Sequence, residues 1–206
     1  MLEAIDLTCV RGDRRLFRGL NVTLSPGDLL QVEGENGAGK TSLLRILAGL
    51  GLPATGEVRW MGQPIARERD AYGRALLYLG HLGALKDELT AEENLLSDAR
   101  TAGLPGIGSA QVFEALDRMG LRRIAGLPVR VLSAGQRRRT ALTRLLLAPP
   151  PLWILDEPFN ALDAEAVALL RRTLQDHVSG GGMAVLTSHQ PLALEGIAVR
   201  SLKLAP

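Results

Sequence analysis

Gly34-Glu35-Asn36-Gly37-Ala38-Gly39-Lys40-Thr41 fits the pattern Gly, four residues, Gly-Lys-Thr at every position, the spacing of a loop that cradles phosphates. Glycines let such a loop wrap an anion with backbone N–H groups pointing inward. Lys40 brings a cation to the terminal phosphates, and the Thr41 hydroxyl suits magnesium. Thr41 and Ser42 also belong to a helix start, whose positive end favours the same anion. Leu152-Trp153-Ile154-Leu155-Asp156-Glu157 is an apolar run closed by two carboxylates. Neighbours on a strand point to opposite faces, so the two acids can take different tasks. Asp156 suits the metal side and Glu157 the general base that orients an attacking water. Each segment alone has a plain reading, a glycine-rich turn or a strand ending in solvated acids. Together they point to binding of ATP with magnesium and its hydrolysis.

Leu132-Ser133-Ala134-Gly135-Gln136 opens another helix. Ser133 is a natural N-cap, and Ala134-Gly135 leave the backbone accessible for a second phosphate-binding helix start. A simple cap remains the alternative, with Arg137-Arg138-Arg139 as a solvated face.

The elements around these residues follow from pattern. Leu2–Cys9, Leu20–Leu24 and Leu29–Glu33 read as strands, the last running into the glycine-rich loop. Lys40–Gly49 reads as an amphipathic helix, and Gly56–Trp60 and Ala75–Gly80 as short strands. Thr90 with Glu93 forms a capping box, and Ser109 begins a further helix that ends near Gly120. Ser133–Ala148 and Asp163–Val178 read as helices; Leu152–Asp156, Ala184–Ser188 and Val199–Leu204 read as strands. Strand–helix alternation around a phosphate loop predicts an α/β fold with a largely parallel sheet. The expectation is a single domain over residues 1–206, with an N-terminal antiparallel β region and an inserted helical subdomain at about 82–150.

Composition narrows the function classes. A chain of 206 residues with 46% hydrophobic and 22% charged residues is ordinary for a globular domain, and a net charge of +2 gives no basic nucleic-acid-binding surface. Cys9, the one cysteine, cannot form an internal disulfide, which fits a reducing compartment. Glu3 and Asp6 interrupt any apolar leader, and the greasy stretch Leu145–Leu155 holds three prolines and is too short to span a bilayer. The expectation is no direct membrane insertion, so a membrane process would need another chain.

Taken together, the glycine-rich loop, Leu132–Gln136, Asp156-Glu157-Pro158, Asn160-Ala161-Leu162-Asp163 and Thr187-Ser188-His189 resemble an ATP-binding-cassette (ABC) nucleotide-binding subunit, in that family's order and over essentially the whole chain. The resemblance implies a P-loop ATPase core and a homodimer. Ser133, Gly135 and Gln136 of one subunit would complete the site of the other, Asp163 would lie in the loop joining the two sites, and His189 would contact the γ-phosphate. It implies a polytopic membrane partner and no nucleic acid. Within the family, Leu76–His81, Glu88–Ala91 with Glu93-Asn94-Leu95, Leu132–Arg139 and Pro151–Asp163 resemble the subgroup that handles haem for c-type cytochromes at the cytoplasmic face of the inner membrane.

Two positions depart from the family pattern. His81 stands where most cassettes carry glutamine, and imidazole is a poor direct substitute for a hard oxygen ligand of magnesium. The aromatic residue that usually stacks on adenine is missing. Arg11 falls near its place and a guanidinium plane can stack on a base, Phe17 is the other candidate, and a surface arginine in a turn is the plain alternative. Other readings are a cassette for another substrate, an ATP-switched regulator or scaffold without a transport role, and a P-loop small-molecule kinase.

Overall fold

The computed structural model describes the whole chain except Leu82, Gly83, Pro105, Ala148, Pro149, His189, Gln190, Ala205 and Pro206. It divides into two compact units, one formed by 1–78, 150–158 and 174–206, the other by 79–149 and 159–173.

The first unit holds both sheets. Strands β1 (Leu2–Arg11), β2 (Arg14–Leu24), β4 (Thr55–Trp60) and β5 (Gln63–Pro64) form an antiparallel sheet ordered β2-β1-β4-β5. A second sheet takes the order β6-β7-β8-β3-β9, with β3 at Leu29–Glu33, β6 at Leu76–Leu79, β7 at Leu152–Leu155, β8 at Met183–Thr187 and β9 at Val199–Lys203. The pairs β7/β8, β8/β3 and β3/β9 run parallel. Helix α1 (Lys40–Leu47) buries Leu43, Leu44, Ile46 and Leu47 in the core they share with Leu2, Leu7, Leu24, Val32, Ile154 and Val185. The short α2 (Arg69–Arg74) is pinned by buried Tyr72, whose hydroxyl donates to Leu47 O at 2.6 Å. Strands β7 and β8 are buried along their whole length, as parallel strands covered on both faces must be.

Strand β2 is longer than its pattern foretells, starting at Arg14 rather than Leu20. The β1/β2 register shifts between Ala4 and Leu7, Leu7 and Cys9, and Cys9 and Val10. Each bulge breaks the two-residue alternation on which a strand is recognised. At the first, Asp6 takes a positive φ of 50° and its N–H donates to the Asn21 side chain at 3.0 Å. Cys9 is buried in β1.

The second unit is helical. Helix α3 (Ala91–Thr101) opens on the expected capping box, Glu93 N–H donating to Thr90 Oγ1 at 3.1 Å and Thr90 N–H to Glu93 Oε2 at 2.8 Å. The Thr90 backbone N–H foremost, and the Thr90 hydroxyl after it, hold the Glu93 carboxyl below its ordinary value. Buried Asn94 accepts from Lys86 N–H and donates to the carbonyls of Lys86, Leu89 and Thr90, fixing the loop that leads into the helix. Helix α4 (Ser109–Arg118) packs Val112, Ala115 and Leu116 inward. Helix α5 (Ala134–Leu142) stops short of the expected Ala148 and tightens into a 3₁₀ turn over Thr143–Leu146. The prolines that follow in sequence lack the N–H a helix needs. Helix α6 (Ala164–Ser179), whose residues 164–173 belong to this unit, is begun by Asp163, whose Oδ1 accepts from Ala166 N–H at 2.9 Å. Among the described residues, no helix is long and apolar enough to cross a membrane.

Candidate functional site

The glycine-rich loop leaves β3 and turns directly into α1. Gly39 is the residue before that helix, with φ of 101°, a left-handed conformation that costs an L side chain energy. A Cβ there would also stand 3.0 Å from Leu16 Cβ and 3.3 Å from Phe17 Cδ1. Position 39 therefore needs glycine for two independent reasons. Lys40, only 7% exposed, folds its ammonium across the loop and donates to Gly34 O at 2.7 Å and Glu35 O at 3.1 Å.

Thr41, one residue on, reaches the second sequence segment. Its hydroxyl donates to Asp156 Oδ2 at 2.8 Å. The other carboxylate oxygen, Oδ1, accepts from the Thr187 hydroxyl at 2.8 Å, and Thr187 Oγ1 in turn accepts the Glu157 N–H at 2.7 Å. This chain of bonds follows from strand order. Strand β8 lies between β7 and β3, so its last residue, Thr187, stands beside the ends of both. The buried Asp156 is thereby held by two hydroxyls, one from a helix start and one from a strand end. The sequence names Thr187 only as part of a motif. Its bridging position is invisible without the strand order.

The two acids are separated by a different device from the strand alternation expected of them. Strand β7 ends at Leu155, and Glu157 takes a φ of 47° just beyond it. A left-handed glutamate preceding a proline is strained, and such strain persists only where the surroundings enforce it. The Thr187 hydroxyl holds the Glu157 N–H. Trp153, buried in the middle of β7, stacks on His177 with ring centroids 3.7 Å apart and 7° between planes. Tyr78, on β6, has its phenol pushed up, first by burial and then by the Asp156 carboxylate, with Arg45 opposing. It stays a neutral hydroxyl at working pH.

The hydroxyl and carboxylate pair at Thr41 and Asp156 is a set of hard oxygens, the chemistry magnesium takes beside phosphate oxygens and water. The donor set fits that ion.

In the helical unit, Ser133 and Gln136 form the second capping box. Gln136 N–H donates to Ser133 Oγ at 3.2 Å, and Ser133 N–H to Gln136 Oε1 at 2.9 Å. A Cβ on Gly135 would meet Ala161 O at 3.0 Å, so a local packing reason for that glycine exists beside any functional one. Arg139 lies 3.8 Å from Asp163. The buried Arg138 donates to Gly80 O at 3.2 Å and His81 O at 3.4 Å, fixing the backbone of the unusual histidine, whose own side chain is exposed. His189 lies outside the described residues.

Of the two candidates for stacking on a base, Arg11 is exposed and Phe17 is buried. Phe17 is 6% exposed and belongs to the core under Gly39. Arg11 puts Nη2 3.8 Å from where a Cβ of Gly51 would stand, beyond the end of α1 opposite the glycine-rich loop. Arg14, which the sequence gave no reason to single out, comes instead to the loop: its Nη1 lies 4.0 Å from the Cβ position of Gly37.

Comparison with known proteins agrees with this geometry. The family model described as "ABC transporter" matches residues 17–160. A protein of Methylococcus capsulatus named "Cytochrome c biogenesis ATP-binding export protein CcmA" is 56% identical over 99% of this chain and 98% of its own. One of the same name from Nitrosospira multiformis is 50% identical over 98% of each. Among solved structures, an ATP-binding subunit of an ABC transporter superposes with a TM-score of 0.82 at 27% identity, covering 91% of this chain and 79% of its own. A dimeric bacterial ABC transporter cassette gives 0.83 at 23% identity, covering 92% and 88%. A complete phosphate loop, an aspartate tied to its threonine, and a family match over most of the sequence leave one assignment: the chain belongs to the ABC transporter family, as an ATP-binding subunit with the P-loop ATPase fold.

Proposed function

We propose that this chain hydrolyses ATP as the nucleotide-binding subunit of a membrane ABC complex that serves the biogenesis of c-type cytochromes, its turnover driving haem export or release of a haem-loaded chaperone. The observation that carries the reading is the 56% identity, over nearly the full length of both chains, to a protein named for that process. The hydrogen-bonded Thr41–Asp156–Thr187–Glu157 chain supports the hydrolytic part.

Each residue then has a task. The loop Gly34–Thr41 with Ser42 binds the phosphates through backbone N–H groups, and Lys40 carries positive charge to the β- and γ-phosphates. Thr41 and Asp156 hold magnesium, which when bound neutralises charge on those phosphates. Glu157 accepts the proton of the water that attacks the γ-phosphorus, and His189 contacts the γ-phosphate. Catalysis is mostly positioning and charge stabilisation. Two such chains pair, Ser133, Gly135 and Gln136 of each completing the site of the other, and both dock on a polytopic membrane subunit at the cytoplasmic face of the inner membrane.

Deletion of the gene from its own host tests the reading. Apocytochromes without covalent haem should accumulate, and the parent chain but not Lys40→Ala should restore haem-stained c-type cytochromes. Normal c-type cytochromes in the deletion strain would overturn it.

A further inference from the structure

We propose that Arg14 is a phosphate-binding residue of the nucleotide site, a second cation beside the loop in addition to Lys40. The inference rests on the nucleotide-binding reading of that loop. Strand β2 begins at Arg14, and a register irregularity between Arg15 and Phe17 leaves Leu16 as its extra residue. Leu16 packs on the last glycine of the loop, 3.0 Å from the Cβ position of Gly39. Arg14, two residues earlier, presents Nη1 4.0 Å from the Cβ position of Gly37, two residues earlier in the loop. The strand thus runs alongside the phosphate loop, anchored by a buried leucine at one step and offering a guanidinium at the next.

The charges around Arg14 leave it available. The β1/β2 register ends with Arg11 opposite Arg14, two like charges across one hairpin rung, an arrangement that repels. Arg59, Arg122, Arg130, Arg137, Arg139, Arg144 and Arg200 each have a carboxylate partner. Among the described residues the Arg14 side chain has no ion pair or hydrogen bond, and it is exposed. A planar fork of N–H donors held over the middle of the loop matches phosphate oxygens. Beside a loop of the phosphate-binding pattern, the guanidinium serves as a ligand of phosphate and not as a platform for adenine.

Equilibrium binding of MgATP, MgGTP and MgADP to the purified chain tests this. Arg14→Ala should weaken all three alike, by about tenfold, the worth of one charge-assisted hydrogen bond. Arg14→Lys should recover most of the loss, Arg14→Tyr none, and Arg67→Ala, a charge-matched surface control, should bind like the parent. Unchanged melting temperature in every variant confirms that folding is intact. Binding of Arg14→Ala equal to the parent's would overturn the proposal. So would rescue by Tyr and not by Lys with adenine selectivity, which would make the residue a base platform. Lys40→Ala separates the two levels. If it binds normally, the loop reading itself is wrong; if it fails while Arg14→Ala binds normally, only the role of Arg14 is.

Discussion

Thr41 and Asp156 stand 115 positions apart in sequence and are joined by one hydrogen bond of 2.8 Å, from the hydroxyl of a helix start to the carboxylate after a buried strand. Thr187 repeats the arrangement from the other side and passes it on to the backbone of Glu157. A single threonine hydroxyl therefore bonds both the Asp156 carboxylate and the strained turn at Glu157.

Thr187→Val keeps the shape and removes both bonds, leaving the Glu157 N–H without its acceptor. The turnover of MgATP should fall about 10- to 100-fold with little change in KM, since the loss falls on positioning and not on nucleotide binding. Thr187→Ser should restore most of it. A Val variant with parental turnover would show that the turn at Glu157 is enforced by something else.

His177 provides a pH signature of the core beside the site. Burial against Trp153 lowers its pKa from 6.5, with the hydrogen bond to Met183 O opposing. The native state then binds fewer protons than the unfolded chain between that lowered value and 6.5. The stability this contributes is complete above 6.5 and is lost as pH falls through the lowered value. His177→Phe keeps the ring stack and cannot titrate, so its melting temperature should decline less steeply into acid. Parallel declines for parent and variant would contradict the assignment.

Much of this was legible in the sequence, because the glycine-rich loop, the apolar strand with its acids and the capping boxes at Thr90 and Ser133 are local patterns with local causes. What was illegible depends on neighbours distant in sequence. Thr187 matters because β8 lies between β7 and β3. The separation of Asp156 from Glu157 depends on a positive φ that no residue type announces. Arg14 rather than Arg11 meets the loop because bulges along the β1/β2 pair and an early start of β2 decide which side chain faces it.

His81 is expected to tolerate the residue most cassettes carry. Arg138 holds its backbone through the carbonyls of Gly80 and His81, and the side chain itself is exposed. His81→Gln should therefore keep roughly half or more of the ATPase rate of the purified complex. A loss of about a hundredfold would assign the imidazole a specific task.

Pairing of two chains around ATP is tested at Ser133. Gly135→Asp is a poor probe, because its Cβ would press on Ala161 O. Ser133→Asp preserves an N-cap while adding a charge that repels phosphate. In a Glu157→Gln background with ATP and magnesium, we expect a dimer by size exclusion, either alone or with the membrane subunit in detergent. Adding Ser133→Asp should return it to monomer, or abolish closure, at unchanged melting temperature. Persistence of the dimer would reduce the Ser133 helix start to a cap.

The most direct test of the central claim is to measure MgATP binding and MgATP turnover side by side on the assembled complex, in the parent chain, Lys40→Ala and Glu157→Gln. The account predicts that Lys40→Ala loses tight binding, and that Glu157→Gln binds as the parent does while turnover falls by about a hundredfold or more. Parental turnover in Glu157→Gln, or parental binding in Lys40→Ala, would contradict it.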